Sequence, residues 1–542
     1  MTLTFYGAAH EVTGSCMLLK ACEKNIVIDC GMEQGKDIFE NQELTLPAGE
    51  IDCVLLTHSH IDHSGKIPML YARGFRGEIY STQAAHLLCD IMLRDSAHIQ
   101  EFEAEWRSRK AKRAGAQPYV PLYTMDDAIG AIALFKPCPY SRIIEIADGV
   151  KIRFNDAGHL LGSASIEVWI TEDGETRKLV FSGDIGNTEQ PIIKDPTYID
   201  EADYVIIEST YGDRSHGERP DYIRNLTEVI QRTFDRGGNL VIPSFAVGRT
   251  QEMLYFLREI KEKELVKGHD GFRVYVDSPL AVEATTIFSR DVNRQCFDDA
   301  TLKLIDSGIN PLSFDGLKLS VTSDDSKAIN FDKSCKVIIS ASGMCEAGRI
   351  RHHLKHNLWK PENTVLFVGY QSVGTLGRSL VEGAQEVKLF GEVIKVSAEI
   401  AQLAAISGHA DNEGLMRWMS AVNKAPRKVF VVHGDEGACE TLASRINEEL
   451  HFSAYAPYSG DTWDLSQCVC LVKNDGVRIV KKGNGYVLQG GKTYEHVTPA
   501  FSRLMSAVES LKQVAEQNRE GANKDLAKLT DQILELCRKW RR

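Results

Sequence analysis

Six short runs rich in Val, Ile and Leu each end at a residue that could ligate a metal or act as an acid. They are NIVID to Asp29, CVLLTH to His58, KIRFNDAGH to His159, KLVFSGD to Asp184, DYVIIE to Glu208 and RKVFVVH to His433. Continuous apolar runs of this kind predict strands buried on both faces. Because α/β folds place their chemistry in the loops at strand ends, we expect these side chains to meet at one edge of a sheet.

One of these strand ends continues into THSHIDHSG, residues 57–65, which crowds His58, His60, Asp62 and His63 together. Neutral imidazole and carboxylate are the ligands that zinc takes from proteins, so the segment predicts a metal site. The alternative is a solvated loop, and a lone histidine such as His159 or His433 is more often structural. That alternative weakens because these histidines all stand at the same point of the same local pattern.

The composition is that of an ordinary globular protein, with 43% apolar and 25% charged residues. A chain of 542 residues predicts two to four domains, at roughly 150 residues per domain. No apolar run approaches the ~20 residues of a membrane span. The N-terminus, MTLTFYGAAHEV, has no basic segment followed by a long apolar one, so we predict a cytoplasmic location and no membrane partner.

Cysteine usage and charge exclude two further classes of protein. The 13 cysteines include no CxxC pair, which argues against a disulfide framework and against a cysteine zinc knuckle. A net charge of -12 argues against a protein that coats nucleic acid through a broad basic surface. It does not exclude a nuclease, because metal ions and a local groove can supply positive potential where phosphates bind.

HSHIDH, together with Asp29, the GHLLGS segment around His159 and SGD ending at Asp184, resembles the metallo-β-lactamase superfamily with its HxHxDH signature. The resemblance implies two β-sheets between helices, with two zinc ions at one edge. It implies His58, His60 and His159 as ligands of one zinc, Asp62, His63 and His433 as ligands of the other, and Asp184 as the bridge. Asp29 would orient these ligands by hydrogen bonding to them, without binding a metal itself.

Residues 209–390 stand between Glu208 and the later SGHAD and VVHGD segments, and this insertion resembles the β-CASP domain of nucleic-acid-processing enzymes. The matching markers are Glu208, His409 in SGHA and His433 in VHG. DNA-specific relatives of the Artemis type typically lack the last histidine, so its presence points to RNA. The resemblance covers roughly residues 1–460 and includes PSFAVGRTQE, DSPLA, SGMCEAGR and GYQSVGTLGR. It is strongest to bacterial and archaeal RNA nucleases similar to the endonuclease subunit of the eukaryotic mRNA cleavage and polyadenylation factor.

The implied activity is hydrolysis of phosphodiester bonds in single-stranded RNA by a metal-bridged hydroxide. The implied catalytic residues are Glu208, His409, Asp184 and Asp29. His409, oriented by Glu208, would protonate the leaving 3′-oxygen, because imidazole titrates near neutrality. The products would be a 5′-phosphate and a 3′-hydroxyl, from endonuclease action with 5′-exonuclease action as a second mode. The alternatives are a DNA-processing relative and a hydrolase of this fold that acts on a small ester.

The predicted fold class is α/β: a metallo-β-lactamase αββα sandwich with an inserted α/β β-CASP domain and a C-terminal β meander plus helical tail. The predicted domains are 1–208, 209–390, 391–460, in which the chain returns to the first domain, and 461–542. Within the insertion, four segments each run from an apolar strand through a Gly/Ser turn into a helix. Because backbone amides at such turns bind phosphate, Ser244, Arg249, Gly343 and Arg378 are candidate RNA contacts, with tight turns as the equal alternative. RHHLKH predicts a polar helix face carrying His352, His353 and His356.

The last residues predict a small β meander, from the NDG and GNG turns of residues 468–489, followed by two amphipathic helices. Residues 497–542 carry nine Lys/Arg and six Asp/Glu. A two-helix hairpin buries too little area to be stable alone, so its apolar stripes need a partner surface. The two candidates are the catalytic core of the same chain and a second copy, which would make a homodimer.

Overall fold

Two large sheets packed face to face carry most of the predicted ligands. The eight-stranded sheet contains β1 (Thr2–Gly7), β2 (Cys16–Ala21), β3 (Lys24–Cys30), β4 (Cys53–Leu55), β5 (Glu78–Thr82), β6 (Phe135–Cys138), β22 (Thr462–Asp464) and β23 (Val469–Val472), in the order β23-β22-β1-β2-β3-β4-β5-β6. The seven-stranded sheet contains β7 (Ile144–Ala147), β8 (Val150–Asp156), β9 (Ala164–Glu172), β10 (Glu175–Phe181), β11 (Tyr204–Glu208), β20 (Lys428–Val432) and β21 (Ala454–Tyr455), in the order β21-β20-β11-β10-β9-β8-β7.

The computed structural model describes residues 1–34, 38–113, 117–403, 407–482, 485–488 and 530. The chain divides into a large unit, Met1–Asp37 with Asn41–Gly476, and a small one, Ile38–Glu40 with Val477–Arg542. The helices of the large unit are α1 (Ile61–Ser64), α2 (Ile67–Ala72), α3 (Gln83–Arg113), α4 (Met125–Ile132), α5 (Tyr222–Asp235), α6 (Arg249–Glu262), α7 (Pro279–Phe288), α8 (Asp299–Asp306), α9 (Ser323–Phe331), α10 (Ile350–Asn357), α11 (Leu376–Val381), α12 (Asn412–Ser420) and α13 (Glu436–Glu449), with short 3-10 helices at Ala48–Glu50 and Asp291–Cys296.

Alternating side chains of single strands build three apolar layers. Ile26 and Ile28 of β3 point into the core between the two sheets, whereas Val27 joins the cluster formed with α2, α3 and α4. On the second sheet, Phe181 faces the shared core and Val180 packs with α12 and α13. Both faces of these strands are therefore buried, as the continuous apolar runs predict. The αββα sandwich is confirmed.

All six strands predicted from the apolar runs are present, and they carry their polar ends to the same edge. In the first sheet β3 pairs with β4 in parallel. In the second sheet β10, β11 and β20 are parallel neighbours, and β8 runs in the same direction because β9 is antiparallel to both β8 and β10. The carboxyl ends of these strands therefore face one rim of the sandwich.

The insertion forms a third sheet of six strands. They are β14 (Leu317–Leu319), β13 (Arg273–Val276), β15 (Lys336–Ser340), β12 (Leu240–Pro243), β16 (Thr364–Phe367) and β19 (Glu399–Gln402), in that spatial order. All of their pairings are parallel, and buried clusters cover both faces. The four predicted segments are confirmed as β12 to α6, β13 to α7, β15 to α10 and β16 to α11. A hairpin of β17 (Glu386–Leu389) and β18 (Glu392–Lys395) precedes β19, so this sheet reaches beyond residue 390, and the domain boundaries remain predictions.

Asp277, at the end of β13, is fully buried and is the centre of an ionic network within the insertion. It accepts hydrogen bonds from Arg349 Nη1 at 2.8 Å, His353 Nε2 at 2.6 Å and the hydroxyls of Ser320 and Ser326. Burial alone would raise the pKa of Asp277, but these hydrogen bonds outweigh it and hold the pKa well below its usual range. The expectation of a polar face including His353 is wrong, because this side chain is wholly buried against Asp277.

We expect Asp277→Ala to lower the free energy of unfolding by about 3–5 kcal/mol, because it leaves the partly buried Arg349 guanidinium without its counter-charge and the buried His353 Nε2 without its hydrogen-bond partner. Chemical denaturation measures the loss, and Asp324→Ala, which removes a carboxylate that is 91% exposed, is the matched control. Since the folded pKa is depressed, the contribution is present above the unfolded pKa of about 4 and is lost as the pH falls below it. A loss no larger than that of the control would contradict the assignment.

The strands of the predicted C-terminal β meander belong to two sheets. β23 pairs with β22 at the edge of the eight-stranded sheet, whereas β24 (Ile479–Lys482) and β25 (Gly485–Leu488) form a separate two-stranded sheet. Apart from Thr530, the two predicted tail helices lie outside the described residues. Every helix in the described part of the chain is too short or too polar to cross a membrane.

Candidate metal centre

Seven side chains predicted as metal ligands converge at the shared rim of the sandwich. Their donor atoms form two groups, and within each group all donor atoms lie within 4.8 Å of one another. The first group is His58, His60, His159 and Asp184, and the second is Asp62, His63 and His433. The structure therefore holds a His/Asp metal-binding cluster, which joins the loops after β4, β8, β10 and β20.

The donor spacing in the first group fits a tetrahedral site. Metal–ligand bonds of about 2.0–2.1 Å in a tetrahedron place neighbouring donors about 3.3 Å apart. His60 Nδ1 lies 3.1 Å from His58 Nε2 and 3.2 Å from His159 Nε2. Asp184 Oδ2 lies 3.4 Å from His58 Nε2 and 3.6 Å from His159 Nε2. Four donors thus surround one point at the distances that a small divalent cation requires.

The second group repeats this spacing around the other carboxylate oxygen of Asp184. His63 Nε2 lies 3.0 Å from His433 Nε2 and 3.2 Å from Asp184 Oδ1. Asp62 Oδ2 lies 3.7 Å from His433 Nε2. Because its two oxygens face different groups, Asp184 is placed to bridge two cations.

In four of the clustered histidines, the second ring nitrogen has a hydrogen-bond partner of its own. His63 Nδ1 donates to Asp29 Oδ2 at 2.7 Å, and His159 Nδ1 donates to the Gly408 carbonyl at 3.1 Å. His58 Nδ1 lies 3.2 Å from Thr57 Oγ1, and His433 Nδ1 lies 3.1 Å from Thr210 Oγ1. Such hydrogen bonds fix the tautomer and the ring orientation, so the Nε2 atoms of these four rings are held toward the cluster.

Asp29 connects the two strands that begin the site. Besides His63 it accepts hydrogen bonds from the amide and the hydroxyl of Thr57, both at 2.8 Å. Its backbone has a φ of 55°, and that of His433 has a φ of 53°, which is the left-handed region that non-glycine residues rarely adopt. Backbone strain of this kind concentrates at functional sites, where the surrounding contacts hold it in place.

Burial sets the protonation of the histidines in the first group. It lowers the pKa of His58, His60 and His159, so these rings are neutral and their lone pairs are available to a metal. For Asp184, burial alone would raise the pKa, but His433 and His63 outweigh it and keep the pKa far below its usual range. An ionised carboxylate among neutral imidazoles is the donor set that zinc prefers.

Glu208 and His409 form a separate pair at the margin of the cluster. Glu208 Oε1 lies 3.2 Å from His409 Nδ1 and accepts a hydrogen bond from the Ile185 amide at 2.7 Å, while Oε2 accepts from the Thr210 amide at 3.1 Å. Burial lowers the pKa of His409, but Glu208 more than offsets this and raises it to about 9. A cation bound at Asp184, whose Oδ2 is 3.9 Å from His409 Nδ1, would lower it again. His409 is 22% exposed and can therefore meet a substrate.

The four predicted RNA contacts all lie at the carboxyl edge of the inserted sheet or on the helices that follow. Ser244 is buried and its hydroxyl bonds within its own loop. Arg249 pairs with Glu252, and Arg378 Nε donates to Glu382 Oε1 at 2.6 Å. Gly343 packs beneath the ring of Phe245. Their roles in RNA binding remain predictions.

Two residues beside the site have no strand-end signal in the sequence. Tyr211 lies with its ring centroid 6.1 Å from that of His409, and His216 Nε2 hydrogen-bonds the His409 carbonyl at 3.1 Å. His216 does not follow an apolar run, so the strand-end pattern does not mark it as a candidate. Its position in STYGDRSH, directly after Glu208, is the feature that could have placed it near the site.

Comparisons with known proteins agree with this geometry. Family models match in three consecutive blocks: the metallo-beta-lactamase superfamily at residues 11–244, the Beta-Casp domain at 250–380 and the Zn-dependent metallo-hydrolase RNA specificity domain at 393–457.

Three relatives match over most of the chain. Ribonuclease TTHA0252 of Thermus thermophilus is 36% identical over 442 residues, which cover 80% of this chain and 94% of the relative. Transcription termination factor FttA of Methanosarcina mazei is 33% identical, covering 84% and 70%. An RNase J-like protein of Methanocaldococcus jannaschii is 30% identical, covering 84% and 98%. The chain therefore belongs to the β-CASP ribonuclease family of the metallo-β-lactamase superfamily.

Proposed function

We propose that the protein is a ribonuclease that uses two zinc ions to hydrolyse phosphodiester bonds of single-stranded RNA. The observation that carries the proposal is that two groups of donor atoms share the carboxylate of Asp184. The Glu208–His409 pair lies beside them, with His409 Nδ1 3.9 Å from Asp184 Oδ2. Relatives named as ribonucleases and the match to an RNA specificity domain support RNA as the substrate.

The residues present fit the metals. His58, His60, His159 and Asp184 would hold one zinc, and Asp62, His63, His433 and Asp184 the other, because their donor atoms have tetrahedral spacing. When bound, such metals lower the pKa of water to near neutrality and offset negative charge on the phosphate oxygens. Asp29 would keep His63 in the tautomer that leaves Nε2 free for a metal.

His409 would supply the proton that the leaving 3′-oxygen needs. Glu208 holds Nδ1 of this ring, so the other nitrogen is left to face the substrate, and the carboxylate stabilises the protonated imidazole before transfer. Glu208 is itself fixed by two backbone amides and is therefore a positioning residue. Cleavage of the bond to the 3′-oxygen would leave a 5′-phosphate and a 3′-hydroxyl, from endonuclease action with 5′-exonuclease action as a second mode.

We expect single-stranded RNA to be cut and DNA of the same sequence to be spared. The reason is that DNA-specific members of the family typically lack the histidine at this position, whereas here His433 lies in the metal-binding cluster. Matched 5′-labelled oligonucleotides, incubated with zinc-loaded protein, measure the difference. Equal rates on the two would favour the DNA-processing alternative. A small-ester hydrolase is disfavoured by the inserted six-stranded sheet. The cytoplasmic location and the homodimer through residues 497–542 remain predictions.

A further inference from the structure

Two large aromatic side chains stand exposed at the carboxyl edge of the inserted sheet. Phe245 follows β12 and is 46% exposed, and Tyr370 follows the adjacent strand β16 and is 52% exposed. The residues beside them in sequence, Ser244, Ala246 and Gln371, are buried. Neither ring is needed by the metal centre or by the Glu208–His409 pair.

The Phe245 ring and the loop that carries Tyr370 both contact Gly343, which follows the third neighbouring strand, β15. A Cβ at Gly343 would lie 3.2 Å from Phe245 Cδ2 and 3.3 Å from Cε2, so the ring rests directly on the glycine backbone. Gln371 Nε2 donates to the Gly343 carbonyl at 3.1 Å and to the Gly369 carbonyl at 3.2 Å, which fixes the loop that carries Tyr370. A ring or loop that is fixed before binding loses little conformational entropy when a ligand stacks on it.

The same loops pack toward the metal centre. A Cβ at Gly248 would lie 3.0 Å from Leu160 Cδ1, and Leu160 directly follows the ligand His159. On the other side, the Tyr211 ring is 6.1 Å from His409. Burial raises the pKa of Tyr211, the Ser407 hydroxyl and Arg214 lower it, and Tyr370 adds a smaller increase, so the Tyr370 hydroxyl is within electrostatic range of Tyr211. The two exposed rings therefore belong to loops that adjoin residues around the metal centre.

We propose that Phe245 and Tyr370, here called the aromatic step, stack against nucleobases of the RNA strand next to the bond that is cut. The inference rests on the proposed ribonuclease function and adds a base-binding site to it. Every base offers a π-face, so such stacking tolerates any sequence. It also suits a chain with a net charge of -12, which can derive little affinity from a broad basic surface.

The test compares Phe245→Leu and Tyr370→Leu, which keep an apolar side chain and remove the π-face. Each is combined with His409→Ala so that bound RNA stays intact, and affinity for a fluorescent single-stranded RNA is measured by anisotropy with zinc present. We expect each variant to bind about 5- to 150-fold more weakly. Trp359→Leu is the matched control, because this ring is 54% exposed but lies before β16, at the opposite edge of the sheet.

A second measurement separates stacking from a structural effect. The affinities of the His409→Ala parent and of its Phe245→Leu derivative are compared on a series of RNAs that each lack one base. The two affinities should become equal when the missing base is the one that stacks on Phe245, and should stay different when any other base is missing. Unchanged affinity in both leucine variants, with RNA cleavage by the wild-type chain, overturns the aromatic step and leaves the ribonuclease proposal standing. A wild-type chain that neither binds nor cuts RNA overturns both.

Discussion

Asp184→Asn should reduce the zinc content from two ions per chain to less than one and slow RNA cleavage by at least about 1,000-fold. The substitution keeps the shape of the side chain but removes a carboxylate whose two oxygens face both donor groups, 3.4 Å from His58 Nε2 and 3.2 Å from His63 Nε2. Elemental analysis of protein purified without chelator measures the zinc, and a labelled RNA measures the rate.

Asp156→Asn is the matched control for this change. Asp156 ends β8 only three residues before His159, and its Oδ1 accepts a hydrogen bond from the Gly158 amide. Burial raises its pKa to about 7, so the amide replaces a group that is only partly ionised at neutral pH. The control should keep both metals. Two zinc ions in Asp184→Asn, or a single ion in the wild-type chain after zinc is added, would contradict the shared-carboxylate centre.

His409→Ala should keep both metals and lose turnover by about 100- to 10,000-fold, the usual contribution of general acid catalysis. His433→Ala should lose turnover together with one metal, because His433 Nε2 lies within the second donor group. The two variants therefore separate proton donation from metal binding. Equal metal contents in both would show the role assignment to be wrong.

A substrate with sulfur in place of the leaving 3′-oxygen gives the sharper form of this test. A thiolate leaves without a proton, so His409→Ala should cleave this linkage at close to the wild-type rate. His433→Ala should gain no such advantage, because its defect lies in the metal centre. Failure of the sulfur substrate to restore His409→Ala would contradict proton donation by this ring.

That the seven candidate ligands would lie together could be predicted from local pattern. Four of them fall within residues 58–63, and His159, Asp184 and His433 each follow an apolar run of the kind that predicts a buried strand. Since the carboxyl ends of these strands share one rim, sequence-distant donors come together without any detailed knowledge of packing. His409 has no such strand before it, and only the SGHA resemblance marks it.

The supporting contacts could not be predicted, because they depend on how separate loops turn. The carbonyl of Gly408 orients His159, and Thr210 orients His433, through backbone conformations that no periodicity encodes. His353 shows the opposite failure, since a polar helix segment gives no sign that one of its histidines is buried on Asp277. This tertiary hydrogen bond connects residues 76 positions apart.

Digestion of one single-stranded RNA, labelled in parallel at its 5′ and 3′ ends, by the zinc-loaded full chain tests the central claim most directly. The account predicts internal cuts, with each downstream fragment bearing a 5′-phosphate and each upstream fragment a 3′-hydroxyl, and it predicts that these cuts disappear in Asp184→Asn. Intact RNA with two zinc ions bound, or cuts that persist undiminished in Asp184→Asn, would contradict it.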